Sequence, residues 1–301
     1  MTPAKLDTDA GGRDGQSAAG AIAIIAGSGP MPKRVADAAQ RAGRRVFVVG
    51  IVGIADQTIE AFPHAWLKWG EVGRLFKLID AHDVTEIVMI GAIDKRPNLS
   101  EVRFDLGAVS SLPEILSLVI GGDDKVLTGV VKFAEKRGLK IVGAHEVAPE
   151  LVAPVGPLGR RAPQQGEVRD IALAVDAVLT LGRLDIGQAA VAVDRRVIAV
   201  EGAEGTDAML ERVAELHNSG RVRWRGRAGV LAKCSKPQQD LRVDMPAIGV
   251  RTVEKVAAAG LAGIAVEAGR VLVGDRMATA NAADAAGIFI VGVDPAVQAE
   301  P

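Results

Sequence analysis

Ala21-Ile-Ala-Ile-Ile-Ala26 runs into Gly27-Ser-Gly29, then into a helical pattern from about Met31 to Arg41, a stop at Gly43 and a second apolar run, Arg45-Val-Phe-Val-Val49. A short continuous apolar run is a strand buried on both faces, and glycines followed by a helical period are a turn into a crossover helix. The chain therefore opens as a β-loop-α-β unit with its glycine loop at the carboxyl edge of a parallel sheet. The alternation continues with a helix over 71–81, a strand over 86–90, helices within 112–120 and 123–136, and a strand over 139–142. These elements predict a Rossmann-like first domain over residues 20–150.

Residues 151–163 contain Ala-Pro-Val-Gly-Pro-Leu-Gly-Arg-Arg-Ala-Pro, three prolines in eleven residues, which supports neither a helix nor a central strand and reads as a linker. A second α/β domain is expected over 164–301. It should hold a helix over 168–181, a hairpin of Ala190–Val193 with Val197–Val200, and a second hairpin of Ile264–Val266 with Arg270–Val273 leading into a helix at Asp275. Residues 1–19 are rich in Gly, Ala and Asp, without an apolar core of signal-peptide length, and read as a disordered lead-in.

Composition narrows the function classes. With 301 residues the chain fits about two domains. Aromatic residues make up only 3%, with no tyrosine, which suits a core of small aliphatics and argues against base stacking. A formal net charge of −1 offers no global field for nucleic acid, so anions must be held by local cations. One cysteine, Cys234, excludes an internal disulfide and fits a reducing cytoplasm. No run of about 18 apolar residues exists to span a bilayer.

The densest chemistry lies in Lys233 to Gly249, a loop between an apolar run at Gly229–Ala232 and a helix opened by Thr252 and Glu254. Its cations, Lys233, Lys236 and Arg242, suit phosphate oxygens, and its acids, Asp240 and Asp244, suit a divalent metal or a water. Other segments carry two readings each. Gly27-Ser28-Gly29 can bring backbone N–H groups to a phosphate, though Pro32 and Gly50 break the dinucleotide fingerprint and disfavour an NAD-linked oxidoreductase. Asp94, beside Lys95 and Arg96, marks an anion site or a solvated turn. Asp123 and Asp124 touch a ligand or merely cap the helix after Gly121-Gly122. Thr206 and Asp207 serve a ligand, or Thr206 caps the helix that follows. Leu112 to Ile120 is core or an acyl-chain groove. His145 reads as structural, and Cys234 lacks a neighbouring histidine that would make it a nucleophile.

Taken together, IAGSGPMP (25–32), GEVGRLFKL (70–78), GGDDKVL (121–127), GAHEV (143–147), LDIGQ (184–188), EGTDAML (204–210) and KPQQDLRVDMPAIGVRT (236–252) resemble the LpxI-type UDP-2,3-diacylglucosamine pyrophosphatases of lipid A biosynthesis. The likeness runs in order from about 21 to 295. It implies hydrolysis of a lipid-linked nucleotide sugar to UMP and 2,3-diacylglucosamine 1-phosphate, with Mg²⁺ or another divalent cation, between two domains. It also implies a catalytic aspartate at Asp244; from the loop's own chemistry, Asp244 and Asp240 are the candidate metal ligands. Gly27, Ser28, Gly29, Asp94, Asp123, Asp124, Thr206, Asp207, Lys233, Lys236 and Arg242 become candidate substrate-binding residues. The expected setting is cytoplasmic and peripheral to the inner membrane, with a homodimer left open. Ser28 and Cys234 depart from the family pattern, and a nucleotide- or lipid-binding module without catalysis is the alternative.

Overall fold

The computed structural model describes residues 20–93, 129 and 131–298. The expectations for 1–19 and 112–120, and most of that for 123–136, lie outside these residues. Near the end of the last, a helical stretch covers 131–135.

The first sheet is parallel throughout, with strands β1 (Ala21–Ala26), β2 (Val46–Ile51), β3 (His64–Leu67), β4 (Val84–Ile90) and β5 (Lys140–Ile141) in the order β3-β2-β1-β4-β5. Helices α1 (Met31–Arg41) and α2 (Val72–Ala81) make crossovers. The central strand supplies two cores at once, as a period of two requires. Ile22 and Ile24 pack with Val35, Ala36 and Ala39 of α1, whereas Ala21 and Ala23 pack with Ile79, Ile87 and Ile141. Gly50 closes this sheet tightly. A Cβ there would stand 2.3 Å from Ile59 Cδ1, so Ile59 and Trp66 fill the space an acid would need at the end of β2.

The second domain is built on a six-stranded mixed sheet in the order β6-β13-β11-β9-β7-β8. Its parallel centre is β9 (Val230–Lys233), β11 (Gly263–Glu267) and β13 (Phe289–Val293). Antiparallel strands flank it: β6 (Gly156–Pro157) on β13, then β7 (Ala189–Val193) and β8 (Arg196–Val200). The proline-rich segment thus donates an edge strand, where a missing N–H breaks no ladder. Helix α3 (Gln165–Gly182) covers one face through Ile171, Ala174 and Val178, and α4 (Gly205–Asn218), α5 (Val250–Ala258) and α6 (Arg276–Ala286) cover the other.

The first expected hairpin forms as β7 and β8, but the second does not. Both edges of β11 are taken by β9 and β13, leaving no side for an antiparallel partner. The chain turns away at Gly269, and β12 (Leu272–Val273) pairs in parallel with β10 (Ala247–Ile248) in a separate two-stranded sheet. That small sheet bridges the halves. Leu272 is buried in the core of the first domain, against which Met245 and Ala247 also pack.

Candidate active site

The loop after β9 is anchored before it reaches its reactive residues. Cys234 N donates to Gln188 O at 3.0 Å, and both the N–H and the hydroxyl of Ser235 donate to Glu267 Oε2 at 2.8 Å. Arg270 Nε donates to Ser235 Oγ at 2.7 Å and stands 3.1 Å from Glu267 Oε1, so this buried carboxylate at the end of β11 is paired as well as hydrogen-bonded. Two turns follow. Gln239 N donates to Lys236 O, and Val243 N and Asp244 N both donate to Asp240 O at 3.1 Å. The loop ends at Gly249, whose N–H donates to Thr252 Oγ1, and α5 starts at Val250, two residues before the expected Thr252.

Lys233 is the hub. It closes β9, and its ammonium donates to Thr206 Oγ1 at 3.0 Å. Thr206 donates in turn to Glu201 Oε1 at 2.9 Å, and Glu201 Oε2 accepts Gln188 N at 3.0 Å. Burial lowers the Lys233 pKa, and the charges of Glu201, Asp207 and Asp244 pull it back up, with burial the larger effect. Lys233 is thus hydrogen-bonded to Thr206, and the charges of Asp207 and Asp244 act on the same ammonium. Asp207 also holds Arg251 at 2.7 Å. Thr206 does not cap its helix: α4 begins at Gly205 after Glu204, so Thr206 lies inside the first turn and its hydroxyl serves Lys233 and Glu201.

The remaining loop charges are engaged elsewhere. Arg242 grips both oxygens of Asp240, with Nη2 at 2.7 Å and Nε at 3.0 and 3.2 Å, and reaches Glu135 of the first domain at 3.1 Å. The guanidinium holds the Asp240 carboxyl below its usual range. Lys236 pairs with Asp185. Asp244 has a neutral partner in Gln239, whose Nε2 donates to Oδ2.

The glycine loop has a packing explanation of its own. A Cβ on Gly27 would meet Ala92 O at 2.6 Å and Gly91 C at 2.7 Å, so two backbones cross in contact there. Ser28 Oγ donates to Ala92 O at 3.1 Å, and Gly29 N donates to Asp56 Oδ2 at 2.7 Å. Asp94, Asp123 and Asp124 lie outside the described residues. Cys234 is fully buried, and burial with the nearby Glu267 charge pushes its pKa up to about 12, which leaves no reactive thiolate.

Sequence reading missed Gln239, Asp56 and Glu267, whose roles depend on partners far along the chain. Glu201 opens the acid-rich, glycine-rich turn Glu201-Gly-Ala-Glu-Gly-Thr-Asp207 that leads to Thr206. Among the described residues no three His, Cys, Asp or Glu side chains converge as a metal-ligand set. With Asp240 bound by Arg242, Asp244 is the loop acid suited to a magnesium ion. Such ions are commonly held through one or two carboxylates plus substrate phosphates, a donor set that Asp244 fits.

Similarity to known proteins spans both domains. Residues 21–151 match the LpxI N-terminal domain and residues 154–291 the LpxI C-terminal domain. A UDP-2,3-diacylglucosamine pyrophosphatase LpxI from Caulobacter vibrioides is 43% identical over 274 residues, covering 91% of this chain and 98% of its own length. A solved structure of a GalE-like L-threonine dehydrogenase from Cupriavidus necator covers 81% of this chain, which spans 64% of that one, at 14% identity and a TM-score of 0.27, too low to bear on the fold. Matched across both halves by the two LpxI domains, the chain belongs to the LpxI family.

Proposed function

We propose that this protein hydrolyses the pyrophosphate bond of UDP-2,3-diacylglucosamine, releasing UMP and 2,3-diacylglucosamine 1-phosphate in lipid A biosynthesis. The observation that carries this reading is the match of the chain to both domains of the family, supported by the charge of Asp244 acting on the Lys233 ammonium. A carboxylate can orient a water, and a half-buried ammonium can offset charge on the phosphates. Thr206 and Glu201 hold that ammonium in place. Mg²⁺ or another divalent cation would be held by Asp244 with the substrate's phosphate oxygens. When bound it would supply further compensation of phosphate charge. Thr206 and Asp207, at the start of α4, line the same cluster and become contacts for the polar part of the substrate.

No helix among the described residues is long and apolar enough to cross a membrane. In this reading the protein works in the cytoplasm and meets its lipid-linked substrate through transient visits to the inner-membrane surface. The test is UMP release from UDP-2,3-diacylglucosamine with Mg²⁺ and with EDTA. Asp244→Ala should abolish release yet keep substrate bound, because Lys233 and Thr206 remain. Turnover near the parental rate in that variant would sink the assignment.

A further inference from the structure

We infer that the amino edge of the second sheet is a docking surface for an anionic phospholipid bilayer, formed by exposed arginines on two neighbouring segments. Residues 219–229 lead from α4 into β9 and carry Arg221, Arg223, Arg225 and Arg227, while the turn between β7 and β8 brings Arg195 and Arg196; all are exposed. Sheet register puts the two segments side by side. Ala192 pairs with Val230 in the antiparallel β7–β9 ladder, so the end of β7 lies at the start of β9, and a Cβ on Gly229 would stand 2.3 Å from Val193 Cγ2. Across 194–196 and 219–229 the sequence has a single acid, Asp194. Among the described residues these arginines form no ion pair. Arg223 Nε donates to Gly220 O and Arg227 Nη1 to Ala257 O, each at 3.0 Å, and a backbone carbonyl leaves the guanidinium charge in place.

Both segments are held from the protein side. Trp224 is buried, stacks on His217 with ring centroids 3.8 Å apart and donates from Nε1 to Gly260 O at 3.1 Å. At the turn, Asp170 of α3 accepts the N–H groups of Asp194 and Arg195 at 3.1 and 2.6 Å. In a chain of formal net charge −1, such an excess of cations leaves acidic surface elsewhere, so an anionic plane attracts this edge and repels the rest. Lys233 closes the far end of β9, so docking here leaves the catalytic loop uncovered. The aromatic ring of the segment faces inward and offers nothing for a base to stack on, which disfavours nucleic acid. The choice of a bilayer rests on the reading above, in which the substrate is lipid-linked and lies at a membrane surface, where anionic headgroups attract clustered basic residues.

The test is sedimentation of the full-length chain with vesicles of phosphatidylcholine alone and of phosphatidylcholine mixed with phosphatidylglycerol. The mixed vesicles should bind the protein and the pure ones should not, and binding should fall as added salt shortens the screening length from about 10 Å at about 0.1 M to about 3 Å at about 1 M. Each arginine near an anionic surface contributes about fivefold, so the double variant Arg221→Gln/Arg225→Gln should bind about 30-fold more weakly, and Arg195→Gln/Arg196→Gln by a similar factor. The side chains of these residues make no hydrogen bond or ion pair among the described residues, so both variants should melt as the parent does. UMP release from detergent-dispersed UDP-2,3-diacylglucosamine should also stay parental in both, which separates this surface from catalysis. Absence of release in the parent would reject the proposed activity while the vesicle result stood by itself. Parental vesicle binding in both variants, or equal binding to pure phosphatidylcholine, would overturn the docking surface. So would displacement from mixed vesicles by duplex DNA at equal phosphate concentration, which would assign the arginines to nucleic acid.

Discussion

Replacing Lys233 by methionine should separate activity from stability. The ammonium lies among the charges of Asp244, Asp207 and Glu201 and donates to Thr206. Against a phosphate oxygen at about 4 Å, a unit charge contributes about 1 kcal/mol in water and about 4 kcal/mol at the dielectric typical near a protein surface. The half-buried side chain lies between these limits. At about 1.36 kcal/mol per decade, Lys233→Met should cost about fivefold to about nine hundredfold in kcat/KM. Folding should respond differently. Burial outweighs the attraction of the carboxylates and lowers the Lys233 pKa below 10.5. Between the folded value and 10.5 the unfolded chain therefore binds more protons, and stability rises with pH across that window. The charged lysine opposes folding at neutral pH, so Lys233→Met should keep or raise the melting temperature and flatten the alkaline rise in stability. Steady-state UMP release and thermal melts from neutral pH to about 10.5 check both halves. Parental kcat/KM, or a melting temperature that collapses along with activity, would refute the reasoning.

Three further outcomes are expected. With its pKa pushed up to about 12 from an ordinary 9.0, Cys234 should carry about a thousandfold less thiolate at pH ~8 than an open thiol, so disulfide reagents should label it at least that much more slowly folded than unfolded; fast labelling of native protein would contradict its burial. Gly27→Ala should lose about 1–3 kcal/mol in denaturant unfolding, because the new methyl meets the Gly91 and Ala92 backbone, and an unchanged midpoint would show that the strands part easily. Arg242→Ala and Asp240→Ala should be non-additive by about 0.5–1 kcal/mol, as suits a partly exposed pair. Since Asp240 titrates low in the folded state, the stability it adds is present above the ordinary aspartate range and lost as pH falls through its folded value, so the Arg242→Ala deficit should fade in acid.

The fold was readable wherever a strand is buried on both faces. In β1, β7, β11 and β13 nearly every residue is buried, which writes an unbroken apolar run into the sequence that no surface strand would show. Helix starts were less readable. α5 and α3 begin after Gly249 and Gln164, neither of which caps through a Ser, Thr, Asp or Asn oxygen, so the usual signal is missing. The failed hairpin shows a different limit. Ile264–Val266 and Arg270–Val273 have the same local pattern as the hairpin of β7 and β8, yet pairing there was decided by β9 and β13, which reach β11 from elsewhere in the chain.

The site divides along the same line, and the division bears on mechanism. Asp240 and Asp244 are four residues apart, both acids in one loop, and nothing local ranks one above the other. Their partners do. Arg242 closes on Asp240 from two residues away and then extends to Glu135, 107 residues back, so the strongest cation of the loop is spent on structure between the domains. Lys236 is likewise drawn to Asp185, 51 residues away. Lys233 instead donates to a hydroxyl, 27 residues away, while the charges of Glu201, Asp207 and Asp244 act on it from around that bond. A pyrophosphate entering this cluster would therefore meet Lys233 first, because reaching Arg242 or Lys236 would require breaking an ion pair already made. If substrate binding does break them, both pairs must exchange a carboxylate for a phosphate, and Arg242→Ala would then weaken KM as well as stability. If it does not, that variant should bind substrate as the parent does while its melting temperature falls.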